Sequence, residues 1–190
     1  MIIPSLDADK NIQMSKVILY IASSIDGFIA RGNGSLDWLD NLPNPDNIDH
    51  GYNELLADID TIIMGRKTYD ILIGFGIDWP YTNKKTYIVS KNSELTISTP
   101  NTFLVNDELN TLTHQIKLSN SKNCWLVGGG ELIHFYLNNN LVDKMIISIA
   151  PVVLGEGIPL FVGKSLPSNW MLVDVEKFNT GIVNLTYNKN

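Results

Sequence analysis

One cysteine, Cys124, is the whole complement of a 190-residue chain. An intramolecular disulfide is therefore excluded, and no zinc site of cysteine type can be built. Histidine is scarce too: His50, His114 and His134 stand far apart, at no spacing typical of metal ligands, so no metal is expected. Long apolar runs are missing, and nothing approaches the ~20 residues that a membrane-spanning helix needs. The opening segment lacks a basic stretch followed by an apolar core, so it does not read as a secretory signal. Residues 1–14 read as a poorly ordered tail, or as the product of a start codon placed too far upstream, ahead of one domain over residues 15–190. The expected compartment is the cytoplasm. Positive charge is also short, with 14 Lys and Arg against 20 Asp and Glu and a net charge of -6. The cations are scattered except for Arg66-Lys67, Lys84-Lys85 and Lys91. Duplex nucleic acid calls for a basic stripe, so neither nucleic acid nor a membrane is an expected partner. A local basic pocket for a small phosphate-bearing ligand is compatible with this balance.

What the chain does have is an alternation of apolar strands and helical stretches, with 44% hydrophobic residues, enough for one substantial core. Val17 to Ala22 is a continuous apolar run that predicts a buried strand. A loop-rich stretch with Gly27, Gly32 and Gly34 follows. From Asp46 to about Ile59 the apolar residues recur at helical spacing, with Asp46 and Asp49 suited to a helix N-terminus. Strands are then expected at Thr61–Met64, Thr86–Ser90, Thr102–Val105, Cys124–Val127 and Met145–Ala150. Helices are expected at Lys67–Ile73, Glu108–Leu118 and Glu131–Leu137. After the Pro/Gly-rich loop Pro151–Pro159, the tail alternates like an antiparallel hairpin. Hydrophobic strands separated by helices imply an α/β fold, a mostly parallel central sheet flanked by helices with a C-terminal antiparallel hairpin.

Three segments could carry chemistry. Gly128-Gly129-Gly130-Glu131 sits where a strand hands over to a helix. Missing Cβ atoms and free helix N–H groups suit a pyrophosphate there; a tight packing turn is the other reading. In Gly65-Arg66-Lys67-Thr68 two cations fall at a helix start, where the dipole disfavours them unless an anion is bound; a solvated surface pair is the alternative. Ser90 and Lys91 end the next strand at the same sheet edge. Asp49 either faces a cleft beside Tyr52 and Leu56 or simply complements the helix dipole, while His50 is expected on the solvated side. Trp38 is the tryptophan expected near a ligand, and Cys124 reads as an inert core thiol.

Ser24-Ile25-Asp26-Gly27-Phe28-Ile29-Ala30, Ile63 to Tyr69, Val127 to Leu132 and Ala150 to Gly157 occur in this order. The set resembles bacterial dihydrofolate-reductase-like proteins related to the reductase domain of riboflavin biosynthesis. The resemblance covers nearly all of Lys16 to Tyr187 and implies the dihydrofolate reductase fold with NADPH as hydride donor. It puts Gly65, Arg66, Lys67 and Thr68 at the phosphate-contacting turn and Ser90 and Lys91 near the 2′-phosphate. Gly128, Gly129, Gly130 and Glu131 fall at the pyrophosphate and nicotinamide side, and Ala22 and Ile29 beside the nicotinamide. Asp49 stands at the spacing of the pterin-binding carboxylate and Ser148 at a hydroxyl beside it, which implies catalytic roles for both, with Tyr52 and Trp38 at the substrate. Burial is expected to raise the Asp49 pKa. A homodimer is implied by analogy. Leu55-Leu56 stands where the riboflavin reductases carry Leu-Arg, which removes a basic contact to a ribose phosphate. A pteridine-like or riboflavin-precursor-like substrate is expected; a true dihydrofolate reductase and a non-catalytic nucleotide binder are the alternatives.

Overall fold

In the computed structural model, which describes residues 14–190, the apolar run after Lys16 forms strand β1 (Val17–Ser24). Of the expected tail over residues 1–14, residues 1–13 lie outside the described residues. The chain continues through β2 (Phe28–Ala30), α1 (Asp37–Asp40), α2 (Tyr52–Asp58), β3 (Ile59–Gly65), α3 (Arg66–Gly74), β4 (Lys85–Val89) and β5 (Thr102–Val105). Then come α4 (Leu109–Ser119), β6 (Asn123–Gly128), α5 (Gly130–Asn138), β7 (Lys144–Ala150), β8 (Ile158–Pro159), β9 (Trp170–Lys177) and β10 (Val183–Lys189). Eight strands form one sheet in the order β5-β4-β3-β6-β1-β7-β10-β9, and β2 pairs with β8 apart from it. The first six run parallel, whereas β10 is antiparallel to both β7 and β9. The fold is dihydrofolate-reductase-like.

The apolar strands are continuous rather than alternating because helices cover both faces of the sheet. Leu19, Ile63 and Leu126 point to one face, where they meet Ile116 of α4 and Ile133 and Tyr136 of α5. Ile18, Ile62, Ile88 and Trp125 point to the other, against Leu55 of α2 and Tyr69 of α3. A third cluster of Trp38, Ala150 and Ile182 closes the end of the sheet where β1 and β7 finish.

Two local departures from the sequence reading have physical causes. The helix expected from Asp46 begins only at Tyr52. Asn44 bonds the backbone of Ile48 through both its amide atoms, at 2.8 Å each. The Asp49 carboxylate accepts from the N–H groups of Gly51 and Asn53. Side chains that bond nearby backbone compete with a helix ladder, and here Asn47, His50 and Gly51 take positive φ, which no helix tolerates. The second departure is β2 with β8, a short pairing inside stretches that read as loops.

Asp26 fixes the turn between β1 and β2. Its carboxylate accepts from the Ser24 hydroxyl at 2.7 Å and from the N–H groups of Leu154 and Gly155 at 3.0 and 2.7 Å. The Ser24 hydrogen bond, with the two backbone donors, holds its pKa at about 2. A carboxyl lowered on folding stabilises fully above its unfolded value, and the contribution disappears as pH falls through the folded one. The clamp on residues 154–155 is thus expected to hold at pH 4 and to fail as pH falls toward about 2, and Asp26→Asn is expected to loosen it at every pH. Amide hydrogen exchange at Leu154 and Gly155 across that range checks both statements; protection unchanged in Asp26→Asn would refute them.

Candidate active site

The carboxyl ends of the central parallel strands open into a cleft of about 1310 Å³. Ligand pockets ordinarily measure about 300–1,000 Å³, so this one has room for two ligands side by side. Its ends differ in chemistry.

One end is built by the turns after β3, β4 and β6. Gly65 and Gly129 precede α3 and α5, and neither helix start has a side-chain cap, so its first N–H groups are free for a ligand. A Cβ at Gly65 would approach Gly128 O at 3.6 Å, and one at Gly129 would approach Thr68 Oγ1 at 3.6 Å. These backbones come together without side chains between them, and the Gly128-Gly129 peptide is cis. Arg66, Lys67, Thr68, Ser90 and Lys91 line the same end. Arg66 is held by Asp70 at 2.7 Å through Nε, leaving its terminal nitrogens to a ligand. Glu131, in the first turn of α5, also lines the cleft. Free helix N-termini, glycine backbone and three cations fit a dinucleotide carrying phosphates.

The other end lies on the α2 side of the sheet and is aromatic. Tyr20, Tyr52 and Tyr81 stand edge-on around Trp125, with ring centroids 6.3, 5.8 and 5.9 Å away. Tyr52 and Tyr81 share a hydroxyl contact of 3.1 Å, and burial pushes the Tyr81 phenol strongly upward. His50 lines the cleft beside them, held in a left-handed conformation at φ 55°. Its carbonyl accepts from Tyr20 Oη at 3.1 Å and Asn184 Nδ2 at 2.7 Å. Its ring meets Thr180 Oγ1 at 2.8 Å and stands edge-on to Phe178. Burial lowers the imidazole pKa, opposed by the Asp49 carboxylate. Ala22 lies opposite Ser148 in the β1–β7 pairing, between the two ends, and Ile29 lines the same wall.

The predicted residues divide accordingly. Ala22, Ile29, Gly65, Arg66, Lys67, Thr68, Ser90, Lys91, Gly129, Gly130, Glu131, Tyr52 and Ser148 all line the cleft. Gly128 is buried behind it. Asp49 does not line it: the side chain is exposed, and hydrogen bonds from the Asn53 and Gly51 N–H groups lower its pKa. The expected upward shift is reversed because those bonds stabilise the charged form and water still reaches it. Trp38 is buried against Ala150 and Ile182 in the core rather than exposed to a ligand. His50, expected on the solvated side, is half-buried in the cleft wall. Tyr20, Tyr81 and Trp125 escaped the sequence reading, since the positions of Tyr20 and Trp125 in apolar strands signal burial and nothing more. Among the described residues no group of His, Cys, Asp and Glu could hold a metal, and no helix is long and apolar enough to cross a membrane.

The family model of the RibD C-terminal domain matches residues 15–184. The chain belongs to this family. It is 34% identical over 190 residues to the uncharacterized protein YyaP of Bacillus subtilis (strain 168), covering 95% of this chain and 98% of that one. It is 37% identical over 146 residues to YwjB of the same organism, also uncharacterized, covering 77% of this chain and 82% of that one. Among solved structures, a Shewanella sp. PV-4 protein with a suggested place in riboflavin biosynthesis superposes with a TM-score of 0.83 at 32% identity, covering 92% of this chain and 99% of that one.

Proposed function

We propose that this chain is an NADPH-dependent reductase that transfers a hydride to a small pteridine-like or riboflavin-precursor-like ring. The observation that carries the reading is the junction at Ala22 of a glycine-lined, cation-flanked cleft end with an aromatic one. NADPH supplies, when bound, a hydride from its nicotinamide. The residues of the chain do the rest. Arg66, Lys67 and Lys91, with the α3 N-terminus, hold phosphate groups; Gly129 and Gly130 let backbone N–H groups approach a pyrophosphate; Ala22 and Ile29 give the nicotinamide a flat apolar wall. Tyr20, Tyr52 and Trp125 exclude water on the acceptor side.

The reading implies a preference for NADPH over NADH. A charge-assisted contact to the 2′-phosphate contributes about 1.5–3 kcal/mol, which is roughly one to two orders of magnitude in affinity. Calorimetry with both cofactors is expected to show that ratio, and equal affinities would remove the assignment. NADPH oxidation across dihydropteridines, dihydrofolate and riboflavin precursors then finds the acceptor; tight NADPH binding with no turnover on any of them would favour a nucleotide-binding protein without catalysis.

We also propose a homodimer. Along β9, at the sheet edge, Met171, Leu172, Val173 and Val175 are exposed, and an open edge with apolar side chains invites a second strand. Sedimentation at micromolar concentration is expected to give twice the chain mass, and Val173→Lys to give the single chain. A wild-type monomer under those conditions would contradict the proposal.

A further inference from the structure

The two ends of the cleft also differ in charge, and that difference bears on what is reduced. The cations that line the cleft, Arg66, Lys67 and Lys91, all lie at the glycine end. Among the described lining residues no cation stands with Tyr20, Tyr52, Tyr81 and Trp125 at the aromatic end, and the carboxylates that act on the Tyr20 phenol there are those of Asp49 and Glu176. The aromatic polar groups are already engaged. Tyr52 and Tyr81 bond each other, Tyr20 donates to the His50 carbonyl, and Trp125 Nε1 donates to the Tyr20 carbonyl at 3.1 Å. The Ser148 hydroxyl donates to Asn184 Oδ1 at 2.6 Å. Tyr81 and Trp125 are buried, so what this end offers a ligand is the half-buried rings of Tyr20 and Tyr52, with the His50 imidazole and the Ser148 oxygen of the cleft wall as polar features. Ring surface attracts planar π-systems. A phosphate brought here would shed water with no lining cation to replace it, which is costly.

We infer that the acceptor is a planar, uncharged heteroaromatic compound without a phosphate group: a free base, a nucleoside-like ring system or an unphosphorylated pteridine or flavin. The inference rests on the reductase reading for the word acceptor, but the binding preference is independent of turnover. Leu55 and Leu56 agree with it, since neither supplies a cation from α2.

Riboflavin and FMN make the test, because they share one fluorescent ring system and differ by a phosphate. Binding is followed by flavin fluorescence anisotropy on the full chain, with NADP+ at saturation so that the basic end is filled. Riboflavin is expected to bind saturably and FMN at least about tenfold more weakly, the scale of one missing charge-assisted contact. Tyr52→Leu is expected to weaken riboflavin and leave NADP+ affinity unchanged. FMN equal to or tighter than riboflavin overturns the inference, as does riboflavin that fails to bind or binds Tyr52→Leu like wild type. If NADP+ itself does not bind, the reductase reading falls, and titrations of riboflavin against FMN on wild type and Tyr52→Leu without nucleotide still decide the preference for an uncharged ring at this end.

Discussion

Gly129→Ala is expected to lower NADPH affinity by about a hundredfold while leaving the melting temperature near that of wild type. The separation follows from the space around the position. A methyl group at Gly129 would meet Thr68 Oγ1 at 3.6 Å, an ordinary contact, and the residue sits at φ -78°, which alanine adopts freely. The protein therefore has room for it. The cleft does not, because Gly129 and Thr68 both line it where a pyrophosphate would lie against the α5 N-terminus. Overlap in a close-packed contact costs about 1–3 kcal/mol, the upper end of which is roughly two decades in Kd. Gly130→Ala supplies the contrast. Its methyl would stand 3.0 Å from Val162 Cγ1 and 3.2 Å from the Pro159 carbonyl, so its effect is expected in stability first. Calorimetry with NADPH beside thermal melts of both variants separates the cases. Wild-type affinity in Gly129→Ala would return the glycine run to a packing role.

The glycine- and cation-lined half of the cleft was legible as a cluster because its pieces are local. Gly65 to Thr68, Ser90-Lys91 and Gly128 to Glu131 are each contiguous, each ends a recognisable strand, and a parallel sheet sets all such ends along one edge. The strands themselves were legible because burial on both faces makes them continuous apolar runs. The aromatic half was legible only at Tyr52 and Ser148; Tyr20, Tyr81 and Trp125 come from β1, the loop after α3, and β6, and only the folded sheet brings them together with Tyr52 of α2. The exchange of Asp49 for His50 shows why neighbouring positions are hard to separate. Helical periodicity assumed one smooth helix from Asp46. Asx-type hydrogen bonds at Asn44 and Asp49 instead break the segment into turns, and the left-handed backbone at His50 sends one side chain into the cleft while the other caps α2 from outside.

That left-handed turn is tied to the sheet by a buried amide beside the Tyr20 hydroxyl, and removal of the amide is expected to have a large effect on stability and on the aromatic end alone. Asn184 of β10 is 5% exposed. Its Oδ1 accepts from Ser148 and its Nδ2 donates to the His50 carbonyl, at 2.6 and 2.7 Å. Leucine has the same branching and number of heavy atoms but no polar atoms, and its methyl groups are bulkier, which adds crowding. Asn184→Leu would leave the Ser148 hydroxyl buried without its acceptor, and the His50 carbonyl with Tyr20 as its remaining partner. Each buried group so abandoned costs about 1–3 kcal/mol, giving an expected loss of about 2–4 kcal/mol in chemical denaturation. With Tyr20 left as the one donor to the His50 carbonyl the turn loosens, so riboflavin binding should weaken while NADPH, held at the opposite end, binds as before. Ser148→Ala removes one of the two bonds and should cost less. Because the pair shares a hydrogen bond, the double variant should lose less than the sum of the singles. An Asn184→Leu protein that unfolds at the wild-type denaturant midpoint, or strictly additive losses with Ser148→Ala, would show that the amide does not hold the turn. The backbone conformation of His50 would then owe its stability to Tyr20 and the Thr180–Phe178 contacts instead.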